Sequence, residues 1–221
     1  MAVHAIRALI PGLLLAVSSA HADPQPKFEP MTEQMLIDTL PVDATLEVRV
    51  DADLNGDGIV DTAFIGGTEE KRLLKVMLGY KDEFDWGHAP AGELELDSYP
   101  LGPATLSVKK GVLVVEDLTG GTTATSATYR YRYDAKLPVP GMRLIGLDAE
   151  NYSRTNSHDS FKISWNLLSG AFVSRRGRVN EGAGDEAYRY DPERKSVRKS
   201  APILLGATPR PDDLLDEVSK P

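Results

Sequence analysis

The sequence predicts an all-β fold of antiparallel sheets, arranged as a sandwich or as part of a propeller, with one short N-terminal helix. Three observations support this prediction. Apolar and polar residues alternate with a period of two through much of the chain, the alternating runs are short, and turn residues such as glycine separate them. The run Thr128–Tyr133 shows the same pattern, with three tyrosines on one face and two arginines on the other.

Residues 1–22 have the pattern of a secretory signal peptide. Arg7 precedes an apolar run of ten residues, and Ala20-His21-Ala22 fits the small-x-small pattern of a signal peptidase site. A bilayer span takes about 20 apolar residues, so a retained membrane anchor is the weaker alternative. We therefore expect a periplasmic or secreted protein whose mature chain has no membrane span.

The absence of cysteine excludes disulfides, a thiol nucleophile and lipid attachment to a cysteine after the apolar run. Residues 23–221 are long enough to bury a core without disulfides. We expect a proline-rich lead-in over 23–30, followed by a single β-rich domain over 31–221 that ends in an irregular basic part from about residue 180.

The charge of the mature chain argues against a nucleic-acid partner. Removing residues 1–22 takes away Arg7 and no acid, which leaves 24 Lys and Arg against 33 Asp and Glu, a net charge of -9. Basic residues gather late in the chain, among five acids. They form a solvated mixed-charge face or, alternatively, meet an anionic partner such as lipid headgroups or polysaccharide. These basic residues are Arg175, Arg176, Arg178, Arg189, Arg194, Lys195, Arg198 and Lys199.

One short helix and a series of strands follow the lead-in. Thr32 is placed to cap the helix, Met31, Met35 and Leu36 are spaced for one apolar face, and Pro41 ends it. Glycine-containing turns are predicted at 109–111 and 168–170. The predicted strands are 46–50, 62–65, 73–80, 93–97, 106–109, 112–116, 122–133, 142–149, 160–167 and 171–178.

The stretch DADLNGDGIVD, residues 51–61, places four aspartates, an asparagine and two glycines in eleven positions. Calcium takes six to eight oxygen ligands, and a short loop supplies them from alternate residues. The candidate ligands are Asp53, Asn55, Asp57, the backbone carbonyl of Ile59, and Asp61. Asp51 is a candidate outer ligand, and a solvated Asp-Gly turn is the alternative interpretation.

The segments around this loop do not fit an EF-hand. Counting from Asp53, the position that would hold a bidentate glutamate is Phe64, and counting from Asp51 it is Thr62. Both neighbouring segments have strand patterns, where an EF-hand needs helices. The sequence therefore predicts a strand, a calcium loop and a second strand.

The stretch VDADLNGDGIVDTAFIGG resembles the calcium-binding hairpin of FG-GAP or VCBS-type repeats, found in integrin-like propeller blades. The family pattern D-x-[DN]-x-[DN]-G-x-x-D is matched at Asp53, Asn55, Asp57, Gly58 and Asp61. The resemblance implies that these side chains, with the carbonyl of Ile59, coordinate calcium. A propeller repeats the loop, but 62–221 contains no second copy, which argues against a full propeller. The segments MRLIGLDAENYSR and SWNLLSG are also similar to small exported bacterial proteins with one such loop, a resemblance that implies no activity.

Few residues are candidates for catalysis. Ser157-His158-Asp159-Ser160 is interpreted as a polar hairpin tip, because triad members converge from separate segments. His88 is interpreted as lying in a surface turn beside Trp86. Glu93, Glu95 and Asp97 share one face of a strand, which favours a solvated outer face over a pair of hydrolytic carboxylates. Trp86 and Trp165 are expected to fill the core or cover an edge.

These observations favour an exported, non-catalytic binding or structural protein with one structural calcium loop. Its expected partner is an unidentified protein or a cell-envelope polysaccharide. A cell-envelope carbohydrate hydrolase is the second hypothesis, and it requires convergent acidic or histidine groups in a concave pocket. A periplasmic inhibitor or immunity-type protein is the third, although no particular residue favours it.

Overall fold

The computed structural model describes residues 29–182 and 186–220, so the predicted signal peptide and residues 23–28 of the lead-in lie outside the described residues. No helix in the described ranges is long and apolar enough to cross a membrane. The helices are α1 (Glu33–Ile37) and α2 (Pro211–Ser219), with a 3₁₀ turn at Leu205–Ala207. The strands are β1 (Thr45–Ala52), β2 (Asp61–Gly67), β3 (Arg72–Lys81), β4 (Trp86–Leu96), β5 (Thr105–Lys109), β6 (Val112–Gly120), β7 (Thr123–Asp134), β8 (Gly141–Ser153), β9 (Ser160–Asn166), β10 (Ala171–Val179), β11 (Tyr188–Tyr190) and β12 (Arg194–Val197).

The predicted short N-terminal helix is confirmed as α1. Its cap is Thr32, whose hydroxyl accepts a hydrogen bond from the backbone amide of Met35 at 3.3 Å. Such a cap satisfies one of the amides that a helix leaves unpaired at its start. Leu36 is the buried residue of the helix and packs with Phe64 and Met77. The helix therefore covers the outer side of the first sheet.

The first sheet has four antiparallel strands in the order β1-β2-β3-β4. The first six residues of β2 are all buried. Since successive side chains point to opposite sides of a strand, β2 is buried on both faces. Ala63 and Ile65 enter the main core, whereas Phe64 packs beneath α1. This sheet therefore lies between the helix and the second sheet.

The second sheet has eight antiparallel strands in the order β11-β10-β9-β8-β7-β6-β5, and β12 also pairs with β10. The predicted turn between β5 and β6 contains Lys110 at φ 53° and Gly111 at φ 70°. Two consecutive residues with positive φ match the right-handed twist of a tight hairpin. Tyr129 and Tyr131 are buried on one face of β7, as the alternation predicts.

The two sheets share one hydrophobic core, and together they form an open sandwich. The cluster includes Leu74 of the first sheet and Leu113 and Leu147 of the second. Leu214 and Leu215 of α2 join the same cluster, and α2 contacts β7, β8 and β9. The helix thus covers part of the second sheet's inner face. The all-β prediction, with antiparallel sheets and a sandwich as one of its two arrangements, is confirmed.

The structure differs from the sequence predictions at two places. His88 and Trp86 do not lie in a turn, because the hairpin of β3 and β4 continues to the pair Lys81 and Trp86. Gly87 and Pro90 interrupt the alternation there, and proline is tolerated because β4 is an edge strand. We expected no regular structure after about residue 180, but β11 and β12 pair with the free edge of β10 and α2 follows them.

A buried charged network connects the two sheets. The guanidinium of Arg72 in β3 donates two hydrogen bonds to Asp117 in β6 and two to Glu47 in β1. Glu47 also accepts from the backbone amide of Ala104 at 2.7 Å. Nearly all of the Arg72 side chain is inaccessible to solvent, so each of its charged partners is needed to offset the loss of hydration.

Candidate metal centre

The predicted calcium loop is the connection of the hairpin formed by β1 and β2. The two strands are antiparallel up to the pair Ala52 and Asp61, and residues 53–60 join them. Gly58 adopts φ 82°, a conformation that glycine reaches without a steric penalty. The predicted order of strand, loop and strand is therefore present.

Side-chain oxygens of the loop hold its backbone in place. Asp53 accepts from the amides of Gly56 and Gly58 through its two carboxylate oxygens, at 2.6 and 3.0 Å. Asn55 accepts from the amide of Asp57 at 3.0 Å, and its own amide group donates to the Asp57 carboxylate at 2.8 Å. Asp53, Asn55 and Asp57 thus occupy one turn of chain, and the two aspartates are exposed.

Asp61 lies beneath this turn. Its side chain is fully buried, and its carboxylate accepts from the backbone amides of Leu54 at 2.7 Å and Gly79 at 2.8 Å. Burial raises the pKa of the Asp61 carboxyl, the two amides oppose that rise, and the negative charge of Asp57 adds to it. Asp61 therefore fastens the loop to β3 while remaining within the electrostatic influence of Asp57.

The candidate ligands are only partly brought together. Among the described residues, no three carboxylate or imidazole groups lie close enough to hold a metal ion by themselves. The carboxylate of Asp51, the candidate outer ligand, instead accepts hydrogen bonds from the guanidinium of Arg49 at 2.7 Å and from the hydroxyl of Thr62 at 2.7 Å. A metal at this loop would therefore depend on Asn55 and the Ile59 carbonyl as well as the aspartates.

The residues at 157–160 that were considered for catalysis make separate contacts, and their side chains do not form hydrogen bonds to one another. His158 shares a hydrogen bond with Thr123, Asp159 accepts from Arg176, and the hydroxyl of Ser160 is buried. Ser157, His158 and Asp159 lie in the connection between β8 and β9, as the hairpin-tip interpretation predicts, and Ser160 is the first residue of β9. His88 is half-buried in β4, and burial lowers its pKa. The hydrogen bonds of the His158 ring go to Thr123 and to the backbone carbonyl of Asp159, and not to Ser157 or Ser160.

The acidic face of β4 is exposed at Glu93 and Glu95. Glu93 lies 3.4 Å from the ammonium group of Lys75, and Glu95 lies 4.0 Å from that of Lys71. These contacts are typical of a solvated outer face. Trp165 is buried in the core, as expected, whereas 68% of Trp86 is exposed at the start of the edge strand.

Four of the eight late basic residues are paired with acids. Arg176 pairs with Asp159, Arg178 with Asp191, Lys195 with Glu193 and Arg198 with Glu217, and all four contacts are 3.5 Å or shorter. These pairs favour the mixed-charge face over a docking surface for an anionic partner.

A cavity that the sequence did not suggest lies at the junction of the two sheets. Its volume is about 360 Å³. Alternate residues of β6 and β7 form one wall, the end of β4 forms another, and the segment 208–212, which includes the first two residues of α2, closes a third. Residues from three distant parts of the chain meet here, so no local pattern indicates the cavity. The polar residues that border it include Asp97, Tyr99, Asp117, Thr125, Tyr129, Arg210 and Asp212.

Comparisons with family models, curated proteins and solved structures found no match to this chain. Its function is therefore inferred from its own residues and their geometry.

Proposed function

We propose that residues 53–61 bind one calcium ion, which fixes the first hairpin of an exported, non-catalytic binding or structural protein. One observation carries this proposal. The hairpin places Asp53, Asn55 and Asp57 on a single tight turn between two antiparallel strands, with buried Asp61 directly beneath them.

The donor set fits calcium in kind, because every candidate ligand is an oxygen. Calcium accepts carboxylate, amide and backbone carbonyl oxygens in flexible geometry and completes its shell with water, whereas magnesium requires a stricter octahedron. Asp53, Asn55, Asp57 and Asp61 would supply side-chain oxygens, and Ile59 its carbonyl. The bound ion would supply positive charge that offsets the repulsion among the aspartates.

The first sheet is consistent with the resemblance to a propeller repeat. A propeller blade is a four-stranded antiparallel sheet, and β1 to β4 form such a sheet in sequence order. The loop joins its first two strands. The second, larger sheet has no counterpart in a blade, so we infer a single blade-like hairpin unit built into a sandwich.

Thermal unfolding of the full chain, in excess EDTA and in a calcium series, tests the metal site. A ligand that binds only the folded state stabilises it by about 2.7 kcal/mol at a hundredfold excess over its dissociation constant. We expect the melting temperature to rise with calcium, and to rise much less with equal magnesium. Asp57→Ala should remove the response.

Asp82→Ala is the matched control for this experiment. Asp82 accepts two backbone amides, at 2.7 and 2.8 Å, in the connection between β3 and β4, and so has the same turn-holding role outside the loop. This variant should lose some stability yet keep the calcium response. An unchanged melting temperature in millimolar calcium would mean that 53–61 is only a polar turn.

Export is tested separately, by expressing the full chain in a Gram-negative bacterial host and recovering it from the periplasm. If residues 1–22 are a signal peptide, the recovered protein should begin at Asp23 and its mass should be that of 23–221. A protein that keeps Met1 and stays in the cytoplasm would contradict the export proposal without affecting the calcium site.

A further inference from the structure

One residue of the cavity at the junction of the sheets, Tyr129, has a hydroxyl with no hydrogen-bond partner among the described residues. Tyr129 borders the cavity and only 5% of its surface is exposed. Its hydroxyl makes no hydrogen bond to any described residue, whereas the hydroxyl of neighbouring Tyr131 lies 3.0 Å from that of Thr208. A tyrosine hydroxyl can both donate and accept, so the Tyr129 hydroxyl is available to a molecule in the cavity.

Two carboxylates of residues that border the cavity act on this hydroxyl electrostatically. Burial raises the pKa of Tyr129, and the negative charges of Asp117 and Asp212 raise it further, which places both carboxylates within electrostatic range. Asp117 is already held by Arg72. Asp212 accepts from the hydroxyl of Thr125 at 2.7 Å through one oxygen, so its second oxygen is free to accept from a ligand.

The segment that closes the cavity adds a donor. Arg210 borders the cavity, is exposed, and forms no ion pair or hydrogen bond with any described residue. Arginine offers five N–H donors in a planar fork, which suits neighbouring oxygen atoms. Pro209 and Pro211 flank it and restrict the backbone on both sides. The cavity thus combines hydrogen-bond donors on Tyr129 and Arg210 with an acceptor on Asp212.

An aromatic ring lies at the mouth of the cavity. Tyr99 borders it, yet 73% of the residue is exposed, far more than for the tyrosines of the core. An exposed ring beside hydrogen-bonding groups is suited to the apolar C–H face of a sugar. The carboxylates Asp97 and Asp212 outnumber the free cation Arg210, which disfavours an anionic ligand.

We propose that this cavity binds a small neutral saccharide, with Tyr129, Asp212 and Arg210 forming hydrogen bonds to its hydroxyls and Tyr99 packing on its ring. Vicinal sugar hydroxyls both donate and accept, and this wall of mixed donors and acceptors matches that chemistry. The volume of about 360 Å³ is near the lower end of small-molecule sites, which indicates one or two sugar units. Saccharide binding would be the binding activity of the proposed function, on which this inference rests, and it does not require calcium.

Isothermal titration calorimetry on the full chain tests this site. The probes are glucose, galactose, N-acetylglucosamine, cellobiose and diacetylchitobiose, with glucose 6-phosphate and putrescine as an anionic and a cationic comparison. We expect at least one neutral saccharide to bind more tightly than both charged probes. Tyr129→Phe should weaken that binding by about tenfold, the value of one hydrogen bond.

Tyr133→Phe is the matched control, because it removes a tyrosine hydroxyl from the same face of β7 outside the cavity. It should bind as the wild type does. Tyr99→Ala, at an exposed position, is a second variant that tests the ring without disturbing the core, and it should also weaken binding. The melting temperatures of all three variants establish that each is folded.

Three results would overturn the proposal: no saccharide of the panel binds, putrescine or glucose 6-phosphate binds best, or Tyr129→Phe and Tyr99→Ala bind the saccharide as tightly as the wild type. Asp57→Ala separates this site from the calcium loop. If the saccharide site exists, Asp57→Ala should still bind the sugar, whether or not the loop binds calcium.

Discussion

Arg72 of β3 and Asp117 of β6 are joined across the two sheets by two parallel hydrogen bonds of 2.9 and 3.0 Å. Only 5% of the arginine side chain and 4% of the aspartate side chain are exposed. Two charges removed from water this completely offset the loss of hydration through their mutual contacts and, for Arg72, through its hydrogen bonds to Glu47. The pair therefore fixes how the two sheets face each other, and it lies beside the cavity proposed to bind a saccharide.

Asp117→Asn should be strongly destabilising, because it leaves the buried Arg72 charge with Glu47 as its only charged partner. Removing one member of a buried ion pair costs about 3–5 kcal/mol of the free energy of unfolding. Chemical denaturation of both proteins at neutral pH measures this loss.

Asp191→Asn is the control for this experiment. Asp191 also receives two hydrogen bonds from an arginine, Arg178, at 3.0 and 3.1 Å, but the two side chains are 36% and 57% exposed. An exposed pair is screened by water and contributes little, so the control should lose far less stability than Asp117→Asn. If the two variants lose the same unfolding free energy, burial does not explain the contribution of the Arg72–Asp117 pair to stability.

Glu47 makes the network sensitive to acid. Burial raises the pKa of its carboxyl, but hydrogen bonds from Arg72 and from the amide of Ala104, with the charge of Arg72, lower it more, so the net pKa lies below the ordinary value of 4.5. A lowered pKa in the folded state stabilises the protein above pH 4.5, and that stabilisation is lost as the pH falls through the folded-state value. We expect Glu47→Gln to be less stable than the wild type at neutral pH and to approach it in acid.

Denaturation curves measured from pH 7 down to about pH 3 test this linkage. Leu36→Ala is the comparison, since it removes apolar contact without removing a titrating group. Its stability should stay below that of the wild type by a constant amount across the range. If the difference in unfolding free energy between Glu47→Gln and the wild type does not shrink in acid, Glu47 does not have a lowered pKa in the folded state.

The hairpins could be predicted from the sequence because each is specified locally. Leu46, Val48 and Val50 alternate with polar residues in β1, and Gly58 follows Asp57 in the connecting loop. Strand period and turn chemistry act over a few residues, so they remain readable in a single sequence. The same reasoning located the turns at 109–111 and 168–170.

Features built from distant residues could not be predicted in this way. Asp117 and Arg72 are 45 residues apart, and a charged residue in an alternating strand indicates a solvated face unless its partner is known. α2 was missed for a related reason. Its isolated sequence is mostly polar, and the second sheet buries Leu214 and Leu215. Tertiary packing, and not local pattern, decides both features.

Gly58→Ala should destabilise the loop even without metal. Gly58 has φ 82°, and no atom lies within 4 Å of a methyl group built there, so the substitution adds backbone strain without a steric clash. A left-handed conformation costs a non-glycine residue about 1–2 kcal/mol, and we expect that loss in the free energy of unfolding measured in EDTA.

Gly121→Ala isolates the contribution of that backbone conformation. Gly121 also has no atom within 4 Å of an added methyl group, but its φ lies outside the positive range that strains other residues. Replacing such a glycine leaves stability unchanged or raises it by up to about 1 kcal/mol, since the unfolded chain loses freedom. If Gly58→Ala is as well tolerated as Gly121→Ala, the loop does not hold the left-handed turn in which the Gly58 amide donates a hydrogen bond to Asp53, and the calcium proposal loses its geometric basis.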